Sequence, residues 1–350
     1  MIGLNQRIVG LARLGCVIED CLVHPDAGSN TTGDFLRKAL IASTSDNPWF
    51  TSRFTEEALR GLALMLQTET LQKWATDNKL PSQTINPRTV GLIMAGNIPA
   101  VGFHDLLSVL ISGHHALVKL SSSDKHLIPA LVNELIAIEP GFADAVRFAD
   151  QQLKDFDAVI ATGSDNTARY FEYYFADYPH IIRKNRNSTA VLDGTETQSE
   201  LSLLADDIFM YFGFGCRNVS KLFLSDGYDL RSLFPSFLKY GYLKDHSKYF
   251  NNYEYNKAIM LINNEVHYDN GFVMMKPSPH LASPVSVLHY EFYSSPNELV
   301  KIMDHLSNQI QVVVSKHNLV KDSVSFGRSQ FPNVDDYADK INTLDFLRRL

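Results

Sequence analysis

The sequence has 350 residues, 45% hydrophobic and 20% charged, with a formal net charge of −7. That length exceeds one comfortable core, so two domains are expected. The acidic balance gives nucleic acid no electrostatic footing, because polyanion binding needs a basic face. The start, Met1-Ile2-Gly3-Leu4-Asn5-Gln6-Arg7, lacks the charged head and apolar run of a signal peptide. No stretch approaches the roughly 20 apolar residues that cross a bilayer. The cysteines Cys16, Cys21 and Cys216 fit neither a disulfide framework nor a four-cysteine zinc site. The expectations are a reducing cytoplasm, no membrane span and no metal, with Cys16 and Cys21 packed in a core.

Residues 1 to about 80 read as helices. Leu36, Leu40 and Ile41 share one face, and Phe54, Leu59, Leu62, Leu66 and Leu71 keep a helical period. At Thr89 the pattern changes. Val90 to Ala95 is a short apolar run, as in a strand buried on both faces. Gly96-Asn97-Ile98-Pro99 turns the chain, and Phe103 to Ser112 follows as a helix. Ala116 to Leu120 is a second strand, and Ser121-Ser122-Ser123-Asp124 supplies N-cap residues for a helix over about 125–138. A weak strand at 145–148 and a clearer one at 156–161 lead to Thr162-Gly163-Ser164-Asp165 and a helix through Phe175. This alternation predicts a parallel α/β sheet with right-handed crossovers and ligands at its strand ends. Beyond Pro179 we expect a strand at 188–192, a helix at 200–212, a strand at 220–224, and further strands at 259–262, 285–289 and 311–314.

Four features could carry chemistry, and each has a plain alternative. Cys216 lies in a glycine-flanked turn, where a thiol can project and a carbonyl can approach; it is a nucleophile or a packed structural cysteine. Gly163 and Ser164 open a helix whose N-terminal amides suit a pyrophosphate, or they form an ordinary capped turn. Lys119 ends a strand, where its ammonium could reach a ribose or phosphate, or remain solvated. Asn97 could donate to an oxyanion or simply make a turn. The histidines, including the pair His114-His115, show no metal-ligand spacing.

Taken in order, an Asn-x-Pro turn after a buried strand, a strand ending in Lys, a strand ending in Thr-Gly-Ser and a glycine-flanked Cys resemble the aldehyde dehydrogenase superfamily. The likeness spans roughly residues 88–225. Within that superfamily the chain is most similar to the short fatty acyl-CoA reductases related to the reductase of bacterial bioluminescence. Phe326-Gly327-Arg328-Ser329-Gln330-Phe331-Pro332 and Asp336-Tyr337-Ala338-Asp339 are also similar to segments of its small members. The resemblance implies an α/β fold of two Rossmann-like parallel-sheet domains behind an N-terminal helical segment. Residues 1–187 would hold the helices and the cofactor domain, and residues 188–350 the catalytic domain with its C-terminal tail. It assigns Cys216 as the thiol nucleophile, and Asn97 with the Cys216 amide as oxyanion donors. Lys119, Ser121, Ser122, Gly163 and Ser164 fall on the cofactor side. Ser122 stands where NAD-preferring relatives often carry glutamate, so NADPH is the expected cofactor, with NADH open.

Two departures shape the expected reaction. Oxidising relatives place a water-activating glutamate before the cysteine, whereas Ile181-Ile182-Arg183-Lys184-Asn185-Arg186-Asn187-Ser188 contains no carboxylate. Such a base contributes about 10²–10⁴-fold, so hydrolysis to an acid should be slow. The family's ribose-holding glutamate is likewise missing from His280-Leu281-Ala282-Ser283-Pro284-Val285. The expectation is reduction of a long-chain acyl-CoA to an aldehyde in a homodimer. Arg183, Lys184 and Arg186 would meet CoA phosphates or form a solvated cluster. Phe209, Met210, Tyr211, Phe212 and Phe214 would line an acyl tunnel or pack a core. Rival readings are an aldehyde dehydrogenase, an acyl-phosphate reductase, or a nucleotide-binding protein with little turnover.

Overall fold

In the first part of the chain the helical spacing becomes four helices: α1 (Leu4–Val23), α2 (Asp34–Asp46), α3 (Ser52–Met65) and α4 (Thr68–Asp77). The computed structural model describes residues 2–25, 32–316 and 319–350. Phe54, Leu59, Leu62, Leu66 and Leu71 are all buried, as their period requires. Leu36 is buried too, but Ile41 is 76% exposed, so the face expected for α2 is narrower. Cys21 is buried and Cys16 exposed, which corrects the reading of both as core. A run that is apolar nearly all round does not reveal which turn faces out.

The alternating segment follows as β1 (Thr89–Ile93), α5 (Phe103–Ser112), β2 (His115–Lys119), α6 (Leu127–Ile138), β3 (Val146–Phe148), β4 (Ala158–Thr162), α7 (Asp165–Tyr174) and β5 (His180–Arg183). The strands form a parallel sheet in the order β3-β2-β1-β4-β5. The winding direction reverses between β1 and β4, so the crevice for a ligand lies beyond their carboxyl ends. Strand β5, which overlaps the carboxylate-free segment that starts at Ile181, was not expected from the sequence.

The third stretch contains β6 (Asn187–Leu192), α8 (Gln198–Phe209), β7 (Val219–Ser225), α9 (Phe234–Phe237), α10 (Ser247–Ile262), β8 (Tyr268–Asp269), β9 (Met274–Pro277), β10 (Val287–Tyr293), α11 (Pro296–Leu306) and β11 (Ile310–Ser315), before the terminal α12 (Thr343–Arg348). The second sheet runs β11-β6-β7-β10-β9-β8, parallel except for the antiparallel edge pair β8–β9. The strand expected at 259–262 is the last turn of α10. Ile-Met-Leu-Ile fits either period, and only the residues before it decide.

By contacts the chain divides into two units. Asn185–Pro332 forms one, and the residues up to Lys184 together with Asn333–Leu350 form the other. The last eighteen residues, read in sequence as a tail of the second domain, therefore pack with the first. Val334, Leu344 and Leu347 join its core. Trp74 Nε1 donates to the Tyr337 hydroxyl at 2.7 Å. Arg183 donates to the Ala338 carbonyl at 2.6 Å and to Thr343 at 2.9 Å.

His114 adds a pH-dependent tie. Its Nδ1 accepts from the Arg88 amide at 3.0 Å, so the ring proton sits on Nε2, which donates to the Leu347 carbonyl at 3.1 Å. Burial holds this imidazole below its ordinary value. A base with a lowered folded-state value contributes fully above about 6.5, and that contribution is lost as pH falls below it. Amide-exchange protection over α12 is expected to drop between pH 7 and 5. A His114→Gln variant should lack that pH dependence.

Candidate active site

Helix α8 begins with a reciprocal cap. The Thr197 hydroxyl accepts from the Glu200 amide at 3.2 Å, and the Glu200 carboxylate accepts from the Thr197 amide at 2.7 Å. The helix ends at Phe209, short of the expected Phe212, because Tyr211 (φ 54°) and Phe212 (φ 57°) turn left-handed, followed by Gly213 at φ 80°. Such backbone costs about 1–3 kcal/mol at each non-glycine residue, so its surroundings must impose it. Phe212 packs against the rings of His246 at 4.5 Å and Tyr249 at 5.9 Å.

Asn218 holds the turn itself. Its Nδ2 donates to the carbonyls of Asp207 (3.2 Å), Ile208 (3.3 Å) and Met210 (2.8 Å). Its Oδ1 accepts from the Gly215 amide at 2.8 Å, and its own amide donates to the Gly215 carbonyl at 2.9 Å. Ser188 on β6 donates to the Cys216 carbonyl at 2.9 Å. The backbone on both sides of Cys216 is thus fixed, while the residue itself is exposed just before β7. Its thiol is not packed into hydrocarbon.

A second brace involves the segment Phe326–Pro332. Asp207, fully buried on α8, accepts from the Gly327 amide at 2.6 Å, the Ser329 amide at 2.9 Å and the Ser329 hydroxyl at 2.6 Å. Burial nevertheless pushes its carboxyl up to about 6. Arg217, next to Cys216, donates through Nε to the Ser329 carbonyl at 2.5 Å. Sequence reading missed Asn218, Ser188 and Asp207, since none carries a local signal. Beside this turn is a half-open cavity of about 330 Å³, walled by Phe209, Phe212, Phe214, Val219, Val285 and Val287. Of the five apolar residues expected to line an acyl tunnel or pack a core, Phe209, Phe212 and Phe214 line it, and Met210 and Tyr211 are buried outside its wall.

In the first unit, the other candidates gather at the carboxyl edge of the parallel sheet. Asn97 is exposed on the turn after β1, Lys119 is half-buried at the end of β2, and Ser122 is exposed just beyond it. Ser121 Oγ accepts from the Ser123 amide at 3.2 Å and packs on Gly96, where an added Cβ would come within 2.5 Å of it. Gly163 follows β4, and a Cβ there would meet Thr167 at 3.0 Å. Ser164 caps α7, its hydroxyl accepting from the Thr167 amide at 3.4 Å. The side chain of Asp165 lies outside the described residues. The edge is therefore tightly walled where glycines stand and offers hydroxyl, ammonium and helix-terminal N–H donors. Those groups fit a dinucleotide phosphate.

Two expectations change. Arg183 cannot meet CoA, because it is buried and bonded to Asp105 at 2.7 Å as well as to the C-terminal segment. Lys184 pairs with Glu172 at 2.7 Å. The carboxylate-free segment at 280–285 is stapled from below by Ser220 (2.8 Å to the Leu281 carbonyl) and His289 (3.0 Å to the His280 carbonyl). Among the described residues no group of His, Cys, Asp or Glu is placed to hold a metal, and no helix is long and apolar enough to cross a membrane.

The profile of the acyl-CoA reductase (LuxC) family matches residues 54–234, slightly more than half of the chain. No curated protein matches it in sequence. Among solved structures it is similar to aldehyde dehydrogenase 21 of Physcomitrella patens in complex with the reaction product succinate. The identity is 12% and the TM-score 0.68, over 99% of this chain and 85% of that one. It is similar also to the indole-3-acetaldehyde dehydrogenase AldA of P. syringae in complex with NAD+ and IAA (12%, TM-score 0.64, 94% and 75%). A third is aldehyde dehydrogenase C of Pseudomonas syringae with NAD+ and octanal (11%, TM-score 0.63, 90% and 72%). At such identities the likeness is one of fold.

Proposed function

Because the chain belongs to the acyl-CoA reductase (LuxC) family, whose members are oxidoreductases acting on acyl and aldehyde groups, we propose that it reduces a long-chain acyl-CoA to an aldehyde with NADPH, through an acyl-enzyme on Cys216. The observation that carries this reading is an exposed thiol on a backbone pinned from both sides, beside an apolar cavity.

The Cys216 sulfur attacks the thioester carbonyl, and the Asn97 amide donates to the oxygen as it gains charge. Collapse expels the CoA thiolate, which takes up a proton, and leaves an acyl thioester on Cys216. NADPH, when bound, would supply a hydride, and with a proton from solvent this would take the thioester on Cys216 to a thiohemiacetal. Breaking the carbon–sulfur bond then releases the aldehyde and restores the thiol. The cavity walled by Phe209, Phe212 and Phe214 would take the acyl chain. Lys119, Ser121, Ser122, Gly163 and Ser164 would hold the cofactor, with the Ser122 hydroxyl facing its 2′-phosphate.

The test compares nicotinamide oxidation with acyl-CoA, acyl phosphate, and aldehyde in the reverse direction. Acyl-CoA with NADPH is expected to be fastest. Ser122→Glu should shift preference toward NADH by about tenfold, the effect of roughly 1.4 kcal/mol of repulsion against the 2′-phosphate. A wild type that turns over acyl phosphate alone, or binds nucleotide without any turnover, would overturn the reading.

A further inference from the structure

On the reading that Asn97 stabilises the oxyanion, we propose that Asp124 is a positioning residue for it, fastening the turn that carries Asn97 to the turn that follows β2. In sequence Asp124 looks like a helix cap, and its carboxylate does accept from the amide of Leu127, where α6 starts. Asp124 also turns inward and is 4% exposed. Its Oδ2 accepts from the Ala100 amide at 2.7 Å. Ala100 is left-handed at φ 53°, a conformation an alanine keeps only when something holds it.

That bond is one of three laces between the two turns. The Met94 amide donates to the Lys119 carbonyl at 3.1 Å. Gly96 lies so close to the neighbouring turn that an added Cβ would stand 2.5 Å from Ser121 Oγ and 3.2 Å from the Asp124 amide nitrogen. Asn97 sits in the chain between the laces at Gly96 and Ala100. On the far side, Asp124 is fixed by its own amide, which donates to the Ser121 carbonyl at 3.2 Å, and Asn47 donates to the Ser123 carbonyl at 3.1 Å.

The Asp124 carboxylate thus accepts from the Leu127 amide at the start of α6 as well as from Ala100, so one buried side chain serves both the helix start and the neighbouring turn. A serine cap would serve the helix alone. A serine is also too short to reach Ala100, so the carboxylate is the group that spans from one turn to the other.

The test is a double-mutant cycle read as single-turnover acylation by acyl-CoA, followed by quenched mass spectrometry. Asn97→Ala is expected to slow acylation about 10²–10³-fold. Asp124→Ser should slow it about tenfold or more, with the half-saturating acyl-CoA concentration changed less than about twofold. In the Asn97→Ala background, Asp124→Ser should add less than about twofold, because nothing remains to be positioned. Asp124→Asn keeps an acceptor for the Ala100 amide and should restore most of the rate. Should the serine variant not fold, the asparagine variant decides by itself. Its acylation within about threefold of wild type supports the role, and a drop that persists without Asn97 overturns it. Effects that multiply in the double variant overturn the positioning role while leaving the Asn97 reading intact. An Asn97→Ala variant that acylates at the wild-type rate sinks the reading of Asn97, and the positioning role with it.

Discussion

Mixed with an acyl-CoA and no reduced nicotinamide, the wild-type protein should gain the mass of one acyl group, and Cys216→Ala should gain none. Nicotinamide oxidation by the variant should fall by at least about 10³-fold, since the sulfur that would hold the acyl intermediate is gone. The substitution removes a side chain that is exposed on a turn held by Asn218 and Ser188. Its melting temperature should therefore stay within about two degrees of wild type, as for most surface changes away from structural contacts. Cys16 is exposed as well, so the experiment needs a Cys16→Ser control. An adduct that survives Cys216→Ala but vanishes with Cys16→Ser would move the chemistry to α1 and strip Cys216 of its role as nucleophile.

The second large effect is expected at Asn97. Removing an oxyanion donor typically costs about 10²–10³-fold, or roughly 3–4 kcal/mol of transition-state stabilisation. The loss should appear in the acylation rate rather than in acyl-CoA affinity, because the ground-state carbonyl carries little of the charge. Asn97→Ala still gains the acyl group, slowly, so it can be told from Cys216→Ala by its end point. A variant with normal acylation but weakened NADPH binding would make Asn97 a cofactor residue.

The first sheet was legible because its central strands, β1, β2 and β4, are buried on both faces. Runs such as Val90–Ile93 and Ala158–Ala161 are apolar without interruption, and their turns carry Gly, Pro, Ser or Thr. Cys216 was legible from its glycine flanks. What supports it was not. Asn218 reaches back 11 residues to Asp207, and Asp207 reaches forward 122 to Ser329. No local pattern encodes a contact of that span. Asp124 was read only in part for a related reason: Ser-Ser-Ser-Asp before a helix has a local use, and the structure adds a distant one, the bond to Ala100. Arg183 followed the same course, since a basic cluster looks solvated until Asp105 and Thr343 are seen beside its first member.

The two pieces of the first unit, written on either side of the second, also impose an order on biosynthesis. A ribosome that has just passed Pro332 has made every residue of the second unit. It has not yet made Tyr337, Thr343 or Leu347, which close onto Trp74, Arg183 and His114. Folding on the ribosome usually completes the N-terminal domain first. In this chain the unit begun first closes only after the second has been made, and its core waits, unsealed, for Tyr337, Thr343 and Leu347 to emerge.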